Sequence, residues 1–394
     1  MKRVAIAGIY EKINYGTVLQ CFALQKALEA NQIDAKVINR KGIQKEISRN
    51  RRRYYRQHAV DISLYKAKLG LVFHILRQKA DKKFAAEMAQ RKNAFSAFVQ
   101  EYISFTDAIA NFSALTQFCK SVDSVLVGSD QLWLPVNLYG DFYTLSFVPD
   151  GVKRLSYATS FGISNMMEKE RKIAQTFLQK MDWITVREKS GQKLVQELTS
   201  RDADLVCDPT ILFTADEWDR YIPSAKLKNI PEKYIFCYFL GKNRESREFA
   251  RDLSRKTGLP IVALRHMDEF IDFDEAFGDI APYNAGPAEF IDLIRNAEYV
   301  CTDSFHGTVF SILYNREFFT FFRHSAKSRF STNSRIESLL SVAELQERLI
   351  TDNSIEVKLT DRIDYTAVDK RMQKFREASK KILLDMVENH GSDN

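Results

Sequence analysis

Between Tyr299 and Phe322 the chain reads YVCTDSFHGTVFSILYNREFFTFF, a string that admits few folds. Its apolar start, Tyr299 to Thr302, predicts a short strand, and Asp303, Ser304, Phe305, His306 and Gly307 make a polar turn. A helix is expected from about Thr308 to Tyr314, then a second strand through Glu317 to Phe322. Strand, turn, helix and strand in this succession build an open α/β sheet, whose ligands bind beyond the carboxyl ends of the strands. A helix start at that edge offers free N–H groups and partial positive charge to an anion. His306 then faces such a ligand; in the plainer reading Asp303 or Ser304 merely caps the helix and His306 is an ordinary turn residue.

The same alternation runs through the rest of the chain. Arg3 to Ile9 reads as a strand, the apolar spacing of Val18, Leu19, Phe22, Leu24, Ala27 and Leu28 as a helix, and Ala35 to Asn39 as the next strand. Asn14 and Gly16 fall in the intervening loop. A strand beginning at Ser124 ends at Gly128, Ser129 and Asp130; one from Arg154 ends at Ser160 and Gly162. After a helix over Asn165 to Met181, the strand Trp183 to Val186 ends at Arg187, and Asp208 with Pro209 stops a further strand. Polar and small groups thus gather at several strand ends, where a shared site would form.

At 394 residues the chain has room for two domains. Residues 1–222 are expected to form an N-terminal α/β domain carrying a basic helical insertion at about 41–110, and residues 223–345 a smaller α/β domain. The remaining 346–394 form a C-terminal segment whose helix, about Asp364 to Glu388, crosses back over the first domain, with HGSDN fraying at the end. Arg323, Lys327, Arg329 and Arg335 lie in or beside a polar loop that precedes a helix at Arg335 to Leu340.

No apolar run approaches a membrane span or a signal peptide, and the expectation is a cytoplasmic protein. The five cysteines, Cys21, Cys119, Cys207, Cys237 and Cys301, show no CxxC pair or zinc spacing, so they read as reduced core thiols and no metal is expected. The net charge of +7 is uneven, with Arg49, Arg51, Arg52, Arg53 and Arg56 crowded beside Tyr54 and Tyr55. That cluster reads as a solvated face of the helical insertion, or as attraction to a lipid-linked diphosphate substrate or peripheral contact, through Arg49–Arg56, with anionic lipid at the inner face of a bacterial membrane; nucleic acid is not expected. His74, in the amphipathic segment SLYKAKLGLVFHILRQK, reads as a packed histidine.

The strings NYGTVLQCFALQ, GSDQLW, SYATSFG, VREKSG, DPTILF and TDSFHGTVFSILYNREFF, in this order, resemble the polysaccharide pyruvyl transferase family over nearly the whole chain. The resemblance implies two Rossmann-like domains in the GT-B arrangement with the active site in the cleft between them. It also implies phosphoenolpyruvate as donor substrate, with no other cofactor, and a saccharide acceptor of a cell-surface polysaccharide, either lipid-linked or polymeric. The pyruvyl group becomes a cyclic ketal.

By this resemblance His306 is the general acid and Arg187 the anchor of the donor's carboxylate or phosphate. Asp130 orients or deprotonates the acceptor hydroxyl, or is a structural aspartate at a strand end. Ser129 and Ser160 are substrate-facing strand-end residues; Ser304 and the N–H groups around Gly307 hold phosphate, with Arg323 or Arg335 as further cations. Asn14 and Gly16 face the acceptor, Asp303 faces the ligand or caps the helix, and Asp208 shapes a turn. A glycosyltransferase using a nucleotide sugar and a non-catalytic saccharide-binding protein are the alternatives, because a fold does not determine a reaction.

Overall fold

The computed structural model describes residues 1–58, 81–163, 166–265, 271–323, 333–351 and 361–388. The segment containing His74, the loop residues Lys327 and Arg329, and the terminal HGSDN lie outside the described residues.

The first sheet is built from β1 (Arg3–Ala7), β2 (Asp34–Val37), β3 (Ser124–Val127), β4 (Lys153–Thr159), β5 (Trp183–Val186) and β6 (Asp204–Leu205). All its pairings are parallel and the spatial order is β2-β1-β3-β4-β5-β6. The second sheet, from β7 (Ile235–Tyr238), β8 (Ile261–Leu264), β9 (Tyr299–Thr302), β10 (Glu317–Phe321) and β11 (Leu349–Ile350), is also parallel, in the order β11-β10-β9-β7-β8. Each sheet therefore runs outward on one side of its first strand and then returns past it. The switch falls between β1 and β3 in one sheet and between β7 and β9 in the other, where loops diverge and leave a crevice.

Helix α1 (Tyr15–Glu29) lies at the centre, buried on nearly every side. A helix that is covered all round belongs to the interior. Its buried glutamines donate to backbone carbonyls, Gln20 to Thr17 at 2.8 Å and Gln25 to Ala35 and Ser104, while the Gln20 Oε1 has no hydrogen-bond partner among the described residues. Tyr15 stacks on Phe290 with ring centroids 4.5 Å apart and donates its hydroxyl to the Ala285 carbonyl at 2.9 Å. One apolar core thus runs from α1 into the second sheet.

The basic insertion contains α2 (Gln44–Gln57) and α3 (Lys82–Tyr102), after which Phe105 bridges Val37 along the outer edge of β2. Arg49, Arg52, Arg53 and Arg56 are exposed, but Tyr54 is buried and stacks on His58 at 4.1 Å, so it offers no platform for a base. Arg53 pairs with Asp141 at 2.9 Å. The buried Arg91 of α3 donates to the Tyr283 and Pro282 carbonyls, which ties the insertion to the second half of the chain. The C-terminal helix Tyr365–Glu388 lies on the first half, through Arg376 to the Ile211 carbonyl (2.7 Å) and Ser379 to the Cys207 N–H (2.9 Å).

Several boundaries differ from the sequence reading. The strand expected over Ala35–Asn39 stops at Val37, because Asn39 and Arg40 turn to the Thr106 hydroxyl and the Tyr10 hydroxyl. The helix expected over Asn165–Met181 spans Glu168–Leu178, and the one expected at Arg335–Leu340 spans Ser334–Ala343. The helix after β9 begins at Phe305, not Thr308, so His306 and Gly307 belong to its first turn. All five cysteines are buried and free. No helix among the described residues is long and apolar enough to cross a membrane.

Candidate functional site

The turn after β9 is organised by side chains that close on the backbone. Ser304 is the N-cap of helix Phe305–Leu313, its hydroxyl accepting from the Gly307 N–H at 3.3 Å. Asp303 does not cap this helix: its carboxylate accepts from the N–H groups of Leu240 and Gly241 at 2.6 and 2.7 Å, joining the two loops at the β7/β9 switch. Gly307 is needed for close approach, since a Cβ there would lie 2.6 Å from the Thr302 hydroxyl. The Gly307 N–H is thus engaged within the turn, whereas the Asp303 carboxylate, while holding the Leu240 loop, also lines the cavity between the two sheets.

The His306 ring crosses to the first half and packs on the opening turn of α1. Asn14 caps that helix by accepting from the Thr17 N–H at 3.1 Å, which puts Gly16 inside the helix and not in a loop. A Cβ on Gly16 would stand 1.9 Å from His306 Nδ1. Gly16 is therefore the seat of the imidazole, in place of the acceptor-facing position expected for it. The other ring nitrogen, Nε2, lies 3.5 Å from Asp208 Oδ1 and has no hydrogen-bond partner among the described residues.

Asp208 is the residue whose role the sequence reading missed. It does shape the turn after β6, accepting from the Thr210 N–H at 3.1 Å and hydroxyl at 2.8 Å, but it is also fully buried beside Arg187 and His306. Arg187 NH1 is 2.6 Å from its Oδ2, and Ser129 donates to the same oxygen at 2.8 Å. Burial opposes its charge, but His306, Arg187 and the Thr210 N–H outweigh that and hold its pKa well below the usual carboxylate range. An aspartate before proline signals a turn on its own; nothing local announces the arginine and histidine that fold against it.

Arg187 is itself enclosed. Its side chain is 1% exposed, bound to Asp208, 3.5 Å from Asp130 and 3.7 Å from Glu188, and its guanidinium lies 4.9 Å from the centre of the Phe305 ring. With its charge occupied by carboxylates of the protein, Arg187 organises the floor of the site and presents no open face to a donor anion. Ser129 and Ser160 are likewise fully buried; the Ser160 hydroxyl accepts from the Gly162 N–H at 3.0 Å.

Above this floor is a cavity of about 200 Å³, lined from the first half by Lys12, Asn14, Thr17, Asp130 and Gln131 and from the second by Ser304, Phe305, His306, Arg323 and Arg335 among others. Asp130 holds a left-handed backbone, φ +81°, a conformation that aspartate tolerates better than most residues. It accepts from the Thr17 hydroxyl at 2.7 Å. Burial disfavours its ionised form, yet Arg187, His306 and Arg335 prevail and bring its pKa down to about 2. Arg335 carries the opposite burden: burial and the neighbouring Arg187 lower its pKa to about 10. Among the described residues no group of three His, Cys, Asp or Glu side chains has the arrangement of a metal site.

Residues 14–325 match the model of the polysaccharide pyruvyl transferase family, a span that includes most of the cavity lining, with Lys12 and Arg335 lying outside it. The chain belongs to that family. Membership makes it a transferase by class. No curated protein matches the sequence. Solved structures of similar extent include UDP-N-acetylglucosamine 2-epimerase from Rickettsia bellii, with 11% identity, 98% of each chain covered and a TM-score of 0.46. UDP-GlcNAc 2-epimerase from Neisseria meningitidis, bound to UDP-GlcNAc, has 12% identity over 99% of this chain and 100% of that one, at 0.47. The glycosyltransferase SnogD from Streptomyces nogalater has 11% identity over 97% and 95%, at 0.43. In this pyruvyl transferase family member, the residues named from the sequence divide into a buried layer (Ser129, Ser160, Arg187, Asp208) and a cavity-lining layer (Asn14, Asp130, Asp303, Ser304, His306, Arg323, Arg335).

Proposed function

We propose that the protein transfers the pyruvyl group of phosphoenolpyruvate to two hydroxyls of a sugar, as a cyclic ketal of a cell-surface polysaccharide precursor. The observation that carries this reading is the meeting of Arg323, Arg335 and Lys12 with His306 and the ionised Asp130 in one small cavity between the two sheets. A donor with a carboxylate and a phosphate on one carbon needs several cations, and an anion beside Arg335 would offset the desolvation and the Arg187 charge that now oppose it.

In this mechanism His306 delivers a proton to the donor's methylene carbon, which becomes a methyl group, and positive charge develops on the phosphate-bearing carbon. One sugar hydroxyl bonds to that carbon, inorganic phosphate leaves, and the second hydroxyl closes the ketal. Of the two hydroxyl protons released, one restores His306 and the other departs with phosphate. Asp130, with a pKa of about 2, is too weak a base to remove a hydroxyl proton efficiently at neutral pH; its part is to accept a hydrogen bond from the acceptor and to balance the developing charge. Arg187 and Asp208 hold this layer from beneath.

The test is phosphate release coupled to phosphoenolpyruvate loss over a panel of galactose, mannose and N-acetylated amino-sugar glycosides. Turnover with at least one acceptor is expected, falling about 10²- to 10⁴-fold in His306→Gln, the usual worth of a general acid. Consumption of a nucleotide sugar such as UDP-GlcNAc with no phosphoenolpyruvate chemistry would assign the cavity to a glycosyltransferase instead.

A further inference from the structure

Two arginines share one aromatic ring beside the cavity. The guanidinium of Arg187 lies 4.9 Å from the centre of the Phe305 ring and that of Arg335 5.8 Å, both within the range of cation–π attraction. Phe305 is buried, and its ring meets that of His306 edge-on, with centroids 5.1 Å apart and planes at 88°. A single apolar side chain thus stands among the floor of the site, one of its cations and its proposed acid.

The two arginines do not depend on that ring equally. Arg187 is fixed by Asp208 at 2.6 Å, with Asp130 and Glu188 close by, and these carboxylates would hold it whatever replaced the ring. Arg335, in the first turn of helix Ser334–Ala343, has no ion pair or hydrogen bond with a described residue, and its Nε is buried without a partner. Arg187 and Arg323 repel it, and burial opposes its charge; Asp130 and Glu188 attract it without forming an ion pair. A flexible side chain in such a field needs a contact to fix its place. The face of an aromatic ring attracts a guanidinium without neutralising it. The cation then stays open to an incoming anion, whereas a carboxylate in the same place would close it off, as Asp208 closes off Arg187.

We propose that Phe305 is a positioning residue for the donor: its ring holds the Arg335 guanidinium at the cavity wall, committed to no carboxylate and open to the donor's anionic groups. This rests on the pyruvyl transfer reading and adds to it the residue through which Arg335 is placed. The competing role for Phe305 is apolar packing alone, which any side chain of similar bulk would serve.

The experiment measures phosphoenolpyruvate binding to the full chain by isothermal titration calorimetry. The proteins are the wild type, Phe305→Leu, the chain with 3,4,5-trifluorophenylalanine at position 305, Arg335→Ala, and Arg335→Ala combined with each change at 305. Fluorination keeps the shape of the ring but draws negative charge from its face, so packing survives and cation–π attraction does not. Phe305→Leu should raise Kd about tenfold and the fluorinated ring about fivefold. In the Arg335→Ala background neither change should add more than about twofold, because the residue it acts through is gone. Circular dichroism and urea unfolding of the fluorinated chain should match the wild type. The proposal is overturned if the fluorinated chain binds as the wild type does, or if Phe305→Leu weakens binding as much without Arg335 as with it. No binding by the wild type would refute the donor reading and this inference together; undiminished binding in Phe305→Leu would refute this inference alone.

Discussion

Gly16 shows how much a single side-chain atom matters here. In an ordinary helix, Gly→Ala adds up to about 1 kcal/mol of stability. At this position the new Cβ would stand 1.9 Å from His306 Nδ1, so the imidazole must move. Gly16→Ala should therefore keep the fold and lower kcat by about 10²-fold, the cost of misplacing a catalytic group by an ångström; circular dichroism together with phosphate release would check both halves. Asp208 predicts the reverse balance. Asp208→Asn leaves the Arg187 charge buried beside a neutral amide, a change expected to cost about 3–5 kcal/mol in urea unfolding. Asp130 adds a pH dependence. Its folded pKa of about 2 lies below the unfolded value of about 3.9, so it stabilises the fold fully above the unfolded value and loses that contribution as pH falls toward 2. The shift is worth up to about 2.6 kcal/mol, Asp208 acts in the same direction, and Asp130→Asn should flatten the decline in unfolding free energy between pH 5 and 2.

At the scale of elements, the turn after β9 explains where a sequence reading succeeds and where it stops. The strand, the turn and the helix are legible from the apolar pattern, but the helix start is not, because Asp303 and Ser304 are both good caps. The choice is made by the neighbouring loop: Asp303 is drawn to the N–H groups of Leu240 and Gly241, some sixty residues earlier, which leaves the cap to Ser304. Asp303→Ala should cost more than Ser304→Ala for this reason. The first strands two buried N–H groups, about 1–3 kcal/mol each; the second loses one cap, about 1 kcal/mol, and paired urea titrations would rank them. The same limit hid the layering of the site. Ser129, Ser160 and Arg187 sit at strand ends with the right chemistry, yet whether such a residue faces the cavity or lies beneath it depends on what packs above, and that is set by Phe305 and the second sheet.

For the whole molecule, the two parallel sheets were legible from strand and helix alternation, and the family from six ordered strings. The central place of α1 was not, since Gln20 and Gln25 interrupt the apolar spacing of YGTVLQCFALQKALE, whereas both side chains lie inside the core and donate to backbone carbonyls there. Nor does any local pattern show that Arg323 and Arg335 of one half meet Lys12 and Asp130 of the other. That convergence makes the cavity a donor site, and a thermal-shift titration with phosphoenolpyruvate on the wild type and on Arg335→Ala, which requires no acceptor, tests it. A ligand that binds the folded state alone adds about 2.7 kcal/mol at a hundredfold excess over Kd. The wild type should be stabilised by phosphoenolpyruvate, and Arg335→Ala should lose most of that response. No stabilisation of the wild type, or an equal response in Arg335→Ala, would contradict the cavity's assignment as the donor site.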